Sequence, residues 1–378
     1  MVSRMPPGAD HADALPVAGR DARFRAWPPK QWVPPLISFQ PGMDRLRRLL
    51  GRPVQDVTAR AVDHWTVARG SRVEIKPAKV LPGQLDRIRG TEFGSIDEVI
   101  RDFSGGFDSI QGATTAYRLE NVTLMDGVLY SADATRHLRK RNSRLPFRRK
   151  PKDEIRATMY ESWTGNRWFG NWLAEDTLTY RLAESEGMPF TTNRTIGHMS
   201  AYEQRLDMTP TRMLEVRFAD LILFEDFAHN EHKRQRAIDF RRRMVGQHVR
   251  RHPGVFLLRG SAGDRRVLLN EREIAETLAA KRGFQVLDPV RADVDEIVRV
   301  CGGADVVAGT EGSHLVHGLM LMPPDARALV IQPPARAVSV LKMFTDRQGQ
   351  DFSLVVGEGS NEAFSADVGE IEHTLDLA

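Results

Sequence analysis

From Gly254 onward the apolar residues fall into short blocks separated by amphipathic stretches. "VFLL" (255–258), "FQVL" (284–287), "DVVA" (305–308) and "ALVIQ" (328–332) are compact apolar runs, as expected of strands buried on both faces. Between the first three lie "EREIAETLAAKR" and "ADVDEIVRVC", whose apolar positions recur at helical spacing. Asn270 followed by Glu273 predicts a capping box at the start of the first helix, and Gly283 predicts its end. The stretch "VVAGTEGSHLVHGLMLMPPDA" (306–326) completes the third strand and supplies the next loop and helix. The predicted order is β-α-β-α-β-α-β, hence a parallel, doubly wound sheet.

Upstream the period changes. From Val54 to about Arg136 the pattern is β-like: "ARGSRVEIKPAKVLPG" alternates and breaks at prolines, and "TAYRLENVTLMDGVLYSADA" predicts a meander turning at Asp126-Gly127. "EHKRQRAIDFRRRMVGQHVRR" (231–251) sets Ala237, Phe240 and Met244 on one helical face, with its arginines read as the wet side. Residues 1 to 30 are rich in Pro, Ala, Gly and charge, without periodicity, and predict a disordered tail. The predicted organisation is that tail, an N-terminal domain over 31–228 with a β-rich start, and a C-terminal domain over 229–378.

A length of 378 residues exceeds one typical core, which agrees with two domains. No apolar run approaches a membrane span, the N-terminus lacks the apolar region of a signal peptide, and Cys301 is the one cysteine. A cytoplasmic location follows as the expectation. Only nine of the 54 basic residues are lysine. Guanidinium groups fork phosphates, although a GC-rich genome produces the same bias. The run "RHLRKRNSRLPFRRKPK" (136–152) carries nine Lys or Arg. It reads as a solvated loop or as a dock for anionic lipid or polysaccharide, peripheral at the inner membrane. A nucleic-acid partner is not expected, since there is no recognition motif and aromatics are only 7%.

In a doubly wound sheet, ligands bind beyond the carboxyl ends of the strands. "AGTEGSHLV" places glycines there, followed by a helix N-terminus whose free N–H groups favour an anion. "RGSAGDRR" brings Arg259, Arg265 and Arg266 to the same edge. A glycine turn with arginines suits a diphosphate; a structural turn is the competing reading. Neither the dinucleotide fingerprint nor a P-loop is present.

Together these segments resemble the core of glycosyltransferase family 61 over about 150 residues. The matching positions are Arg259, Arg266, Asn270, Glu271, Gly283, Phe284, Gly309, Glu311, Gly312, Ser313 and Pro323-Pro324. Upstream, "NRWFGNWLAEDTLTYRLAE" (166–184) is similar to the family's aromatic-His-Trp helix, with Asn171 in place of the histidine and Glu175 at the acidic position. The resemblance implies an α/β, GT-B-like architecture. It would have two Rossmann-like domains facing across a cleft, with a nucleotide-sugar donor held mainly by the C-terminal one.

The donor-binding set expected on this basis is Arg259, Arg265, Arg266, Asn270, Gly309, Thr310, Glu311, Gly312, Ser313 and His314. Several have structural alternatives. Glu311 contacts a donor hydroxyl or serves as a first-turn acid; Ser313 meets a phosphate or caps the helix. Asn270 and Glu271 read most simply as cap and first-turn acid, and His317 as a packed histidine. The catalytic candidates are Glu175, His314 and Glu311. An inverting transfer needs a group that accepts the acceptor hydroxyl's proton, and His314 could donate to the leaving phosphate. Asn171, Trp172 and Glu175 form the expected acceptor side; residues 171 and 175 share a helical face. No metal or other cofactor is expected beyond the donor itself.

The function implied is transfer of a sugar from a nucleoside diphosphate to a glycan or lipid-linked hydroxyl, in bacterial surface polysaccharide synthesis. A catalytically inactive nucleotide- or glycan-binding protein of the same fold is the alternative, and Asn171 favours it.

Overall fold

The computed structural model describes residues 37–377 apart from 248, 261–265 and 361. The expected tail, residues 1–30, and the candidate Arg265 lie outside the described residues.

The helix α1 (Gln40–Leu49) precedes a mixed sheet built from β1 (Asp63–Ala68), β2 (Thr114–Met125), β3 (Val128–Ser131), β4 (Ala134–His137), β5 (Glu154–Met159), β6 (Pro189–Thr191), β7 (Thr211–Arg212) and β8 (Val216–Glu225). Its order is β7-β6-β5-β8-β2-β3-β4, with β1 also on β2. The expected meander is present. Asp126 and Gly127 take φ of 51° and 71°, and two positive values at the tip suit the right-handed twist of a tight hairpin. That hairpin joins β2 to β3, a second turn at 132–133 joins β3 to β4, and all these neighbours are antiparallel, as are β8 and β2. The expected Rossmann-like first domain therefore matches only the parallel side, β8-β5-β6-β7.

The second sheet follows the expected alternation. Strands β9 (Val255–Leu257), β10 (Gln285–Leu287), β11 (Val306–Thr310), β12 (Arg327–Gln332) and β13 (Asp351–Val356) are all parallel, in the order β10-β9-β11-β12-β13. Between them run α4 (Glu271–Arg282), α5 (Val294–Cys301), α6 (Leu315–Leu321) and α7 (Val340–Gln348); α2 (Thr177–Glu186) and α3 (Glu231–Val245) come earlier in the chain. Gly283 closes α4 with φ of 67°, a left-handed position that glycine adopts at little cost. The capping box does not form. The Asn270 amide instead donates to the Ala366 carbonyl (2.8 Å) and accepts from its N–H (3.2 Å), so a tertiary partner displaces the local cap.

On α3, Ala237, Phe240 and Met244 are buried as the spacing predicts. Arg242 and Arg243 lie on the wet side as expected, but Arg236 is buried, as is Lys233, which corrects the reading for that arginine. Arg236 forks the buried Asp226 at 2.7 and 2.8 Å.

The N-terminal half borders the second sheet and shares its core. Lys79, from the N-terminal half, donates its N–H to Phe352 (2.8 Å) and accepts from Leu354 (3.0 Å), extending the β13 edge. One apolar cluster includes Phe103, Trp172, Phe240, Leu319 and Phe352. Among the described residues, no helix is long and apolar enough to cross a membrane.

Candidate active site

In the second sheet the chain order reverses between β9 and β11, which are neighbours. Loops leaving adjacent strands in opposite directions open a crevice at such a point. Glu271, the first residue of α4, fixes the base of it. Its carboxylate accepts from the N–H of Arg259 (2.9 Å) and Gly260 (2.8 Å), and from the Thr310 hydroxyl (3.2 Å). The ends of β9 and β11 are thereby tied to one anion.

Above this tie the loop arginines are layered. Arg259 donates from Nη1 to the Arg266 carbonyl (2.9 Å), and Arg266 forms an ion pair with Glu311; all three side chains are buried. Burial pushes the Glu311 carboxyl above its ordinary value, against the pull of Arg266, Arg336 and Arg259. Gly312 follows, and a β-carbon there would stand 3.0 Å from His314 Nδ1 and 3.3 Å from Arg259 Nε. His314 lies behind that glycine. Burial first, then Arg259, depresses its imidazole to about 3, against the opposing pull of the Leu257 backbone beside it.

The opposite wall comes from the first half of the chain. Ser162 caps a short helix, Trp163–Arg167, by accepting from Gly165 (2.9 Å). The segment Phe169–Asn171 then leads through a π-helical turn, Trp172–Asp176, into α2. Such wide turns are uncommon and recur at functional sites. Asp176 holds the turn from inside, accepting from Ser162 Oγ at 2.7 Å. Gly170 lets the segment approach the sheet: a β-carbon there would meet Val316 Cγ2 at 2.9 Å and Ser313 Cβ at 3.3 Å.

The two walls enclose a cleft of about 220 Å³. Arg266, Glu311, Gly312 and Ser313 line one side; Thr164, Trp168, Gly170 and Asn171 line the other. Arg336 and Phe93 also border it, and Val316, Val338, Val340, Leu341 and Phe344 supply an apolar lining. Arg336 is anchored by Glu92, which accepts from its Nε at 2.8 Å. Phe93 packs edge-on to Trp168 (5.6 Å), and the Arg167 guanidinium stacks over Trp168 at 4.6 Å.

The expected site residues divide accordingly. Arg266, Glu311, Gly312, Ser313 and Asn171 meet in the cleft. Arg259 and His314 stand behind Gly312. Gly309 lies in β11, where a β-carbon would strike the Leu257 carbonyl at 2.7 Å, and Thr310 is wholly buried on Glu271. The Asn270 amide is occupied by Ala366. Trp172 belongs to the core. His317 is packed as expected, hydrogen-bonded to the Tyr202 hydroxyl at 2.7 Å.

Glu175 is absent from the cleft. It is ion-paired to Lys233 and to Arg347 (3.0 Å), both fully buried. Burial raises its carboxyl, but Lys233, His229 and Arg347 outweigh that and hold it below the ordinary range.

Arg336, Phe93 and Thr164 were not anticipated. Arg336 carried a readable signal, since it follows the carboxyl end of β12 at the same sheet edge as Arg259 and Glu311. Phe93 carried none; three positions before it, Gly90 packs on Ala335, whose carbonyl oxygen would stand 2.6 Å from a β-carbon there.

Among the described residues no three His, Cys, Asp or Glu side chains group as a metal site. Comparison with curated proteins gives no significant match. The model of the family described as Glycosyltransferase 61 matches residues 93–329, more than half of the chain, and those residues include both facing walls of the cleft. The chain belongs to glycosyltransferase family 61.

Proposed function

We propose that this glycosyltransferase moves a sugar from a nucleoside diphosphate donor to a glycan or lipid-linked hydroxyl, with inversion, in bacterial surface polysaccharide synthesis. The observation that carries the reading is the cleft itself. A glycine-serine turn with two arginines faces an aromatic helix across the cleft, at the switch point of a parallel sheet. A GT-B-like division of labour, with the nucleotide on the second sheet, is part of this proposal.

The diphosphate lies against the Gly312-Ser313 backbone, between Arg266 and Arg336. As the acceptor oxygen bonds to the anomeric carbon, the bond to the diphosphate breaks and its electron pair leaves with the phosphate. The guanidinium groups offset the charge that develops there, and this is why no divalent cation is required. Trp168 and Asn171 orient the acceptor, with the indole face against a sugar ring. Glu311 either accepts the hydroxyl proton or holds a donor hydroxyl. Its raised pKa brings it nearer the working pH, which favours a base.

A second reading, a nucleotide- or glycan-binding protein without turnover, is favoured by two observations. Asn171 stands where the family helix carries histidine, and Glu175 is tied by two buried cations. Thermal shift against UDP, GDP and CMP, followed by release of nucleotide from a panel of sugar nucleotides, separates the cases. A melting shift with turnover supports the transferase. A shift without turnover supports the binding protein. No shift with any nucleotide overturns the transferase and the nucleotide-binding protein alike.

A further inference from the structure

A surface helix ordinarily turns its apolar stripe inward. Helix α1 does the reverse. Phe39, Met43, Leu46 and Leu50 follow a 4-3-4 spacing along one side, with Leu49 beside them, and every one is at least half exposed. The side facing the protein is polar. Asp44 is buried, accepting from Arg48 (3.3 Å) and Thr135 (3.2 Å), and Arg47 donates to the Asp133 carbonyl at 2.7 Å.

This helix is joined to the basic run. Gly42 donates its N–H to Pro146 (2.8 Å), Arg141 donates to the Pro41 carbonyl (3.1 Å), and Ile37-Ser38 pair antiparallel with Arg148-Arg149. The Phe39 and Phe147 rings lie 6.3 Å apart, so the exposed apolar surface continues from the helix onto the loop. Arg45, Lys140, Arg144 and Arg149 are exposed in the same unit.

We propose that α1 and the 141–149 loop form a platform that docks on an anionic phospholipid bilayer, with the apolar stripe entering the headgroup boundary and the cations meeting lipid phosphate. Apolar area together with cations is what interfacial helices use, and neither is effective alone. Charge selects this occupant over the chain's own first 36 residues, which carry five Lys or Arg against three Asp or Glu and so share the platform's sign. The inference is independent of the sugar-transfer reading.

The test is co-sedimentation of the full chain with phosphatidylcholine vesicles containing about 30 mol% phosphatidylglycerol, against pure phosphatidylcholine. The wild type should bind only the anionic vesicles, and less as salt is raised. Leu46→Ser with Leu50→Ser, and separately Arg144→Glu with Arg149→Glu, should each weaken binding about tenfold at unchanged melting temperature. All four side chains are exposed, so both variants should fold. Three results would overturn the platform: no binding of the wild type at low salt, variants that bind as well as it does, or a solution dimer that the leucine variant turns into a monomer.

Discussion

Gly170 and Ser313, 143 positions apart in the chain, lie so close that a β-carbon on the glycine would stand 3.3 Å from both Cα and Cβ of the serine. This approach brings Asn171 and Trp168 to the glycine-serine turn. The same β-carbon would press on Val316 Cγ2 at 2.9 Å, and Val316 is buried. Gly170→Ala should therefore cost roughly 1–3 kcal/mol of stability by overpacking. It should also open the cleft, raising KM for both substrates. A melting temperature and KM equal to wild type would show that the contact does not set the cleft.

Arg336→Ala should weaken nucleotide binding by about ten- to a hundredfold, the worth of one charge-assisted hydrogen bond. Its partner Glu92 is about one-third exposed and can be solvated, so the melting temperature should hardly move. Arg259→Ala should act differently. It leaves the buried Arg266 carbonyl without a donor, so stability and affinity should fall together. Calorimetric titration with nucleotide, beside thermal melts, separates the two arginines.

Glu175 is expected to serve stability rather than the chemical step. Glu175→Ala leaves Lys233 and Arg347 buried with their shared carboxylate gone, a change that typically costs about 3–5 kcal/mol. The pH dependence has a definite sign. The folded carboxyl is held below its unfolded value, so its stabilisation is present above the unfolded pKa and is lost as pH falls through the folded one. Acid melts of Glu175→Gln should be flatter than those of the wild type. If Glu175→Gln instead keeps full stability and loses only kcat, the residue is the proton acceptor after all.

Much of this arrangement was legible in the sequence, and the reasons differ by element. The parallel sheet announced itself because both faces of β9, β11 and β12 are covered, which leaves uninterrupted apolar runs. Asp126-Gly127 announced the hairpin because few residue pairs accept two positive φ values. Arg266, Glu311, Gly312 and Ser313 were readable as one edge because strand ends in such a sheet converge. What local pattern could not give was partnership at long range. Asn270 looks like a cap until Ala366 arrives 96 positions later. Glu175 looks like a free helix carboxylate until Lys233 and Arg347 fold around it. In α1 the spacing of Met43, Leu46 and Leu50 is readable, but which side faces water depends on Asp44 finding Thr135.

Glu311→Gln keeps the shape of the side chain and removes its charge. If Glu311 holds a donor hydroxyl, KM for the sugar nucleotide should rise with kcat preserved; if it accepts the proton, kcat should collapse with binding intact. In the second case the acid limb of the wild-type profile should lie above the ordinary carboxylate range, because burial raises the group. Stability has the opposite slope to that of Glu175. With the folded pKa raised, stability is full below the unfolded pKa and declines as pH rises through the folded one, and Gln should abolish that decline.

The turn itself gives the sharpest test. A β-carbon at Gly312 would enter the space between His314 Nδ1, at 3.0 Å, and Arg259 Nε, at 3.3 Å. Neither group can retreat freely, since the imidazole is half-buried and the guanidinium holds the Arg266 carbonyl. Gly312→Val, with two further carbons, should displace Arg259, and through it Arg266 and the ion pair with Glu311. Nucleotide binding should be lost, accompanied by a few degrees of melting temperature. Ser313→Ala removes a single hydroxyl and leaves the backbone donors in place, so its loss should be several-fold at most. Normal nucleotide affinity in folded Gly312→Val would mean that the turn shapes the strand end alone, and the phosphate would have to lie elsewhere in the cleft.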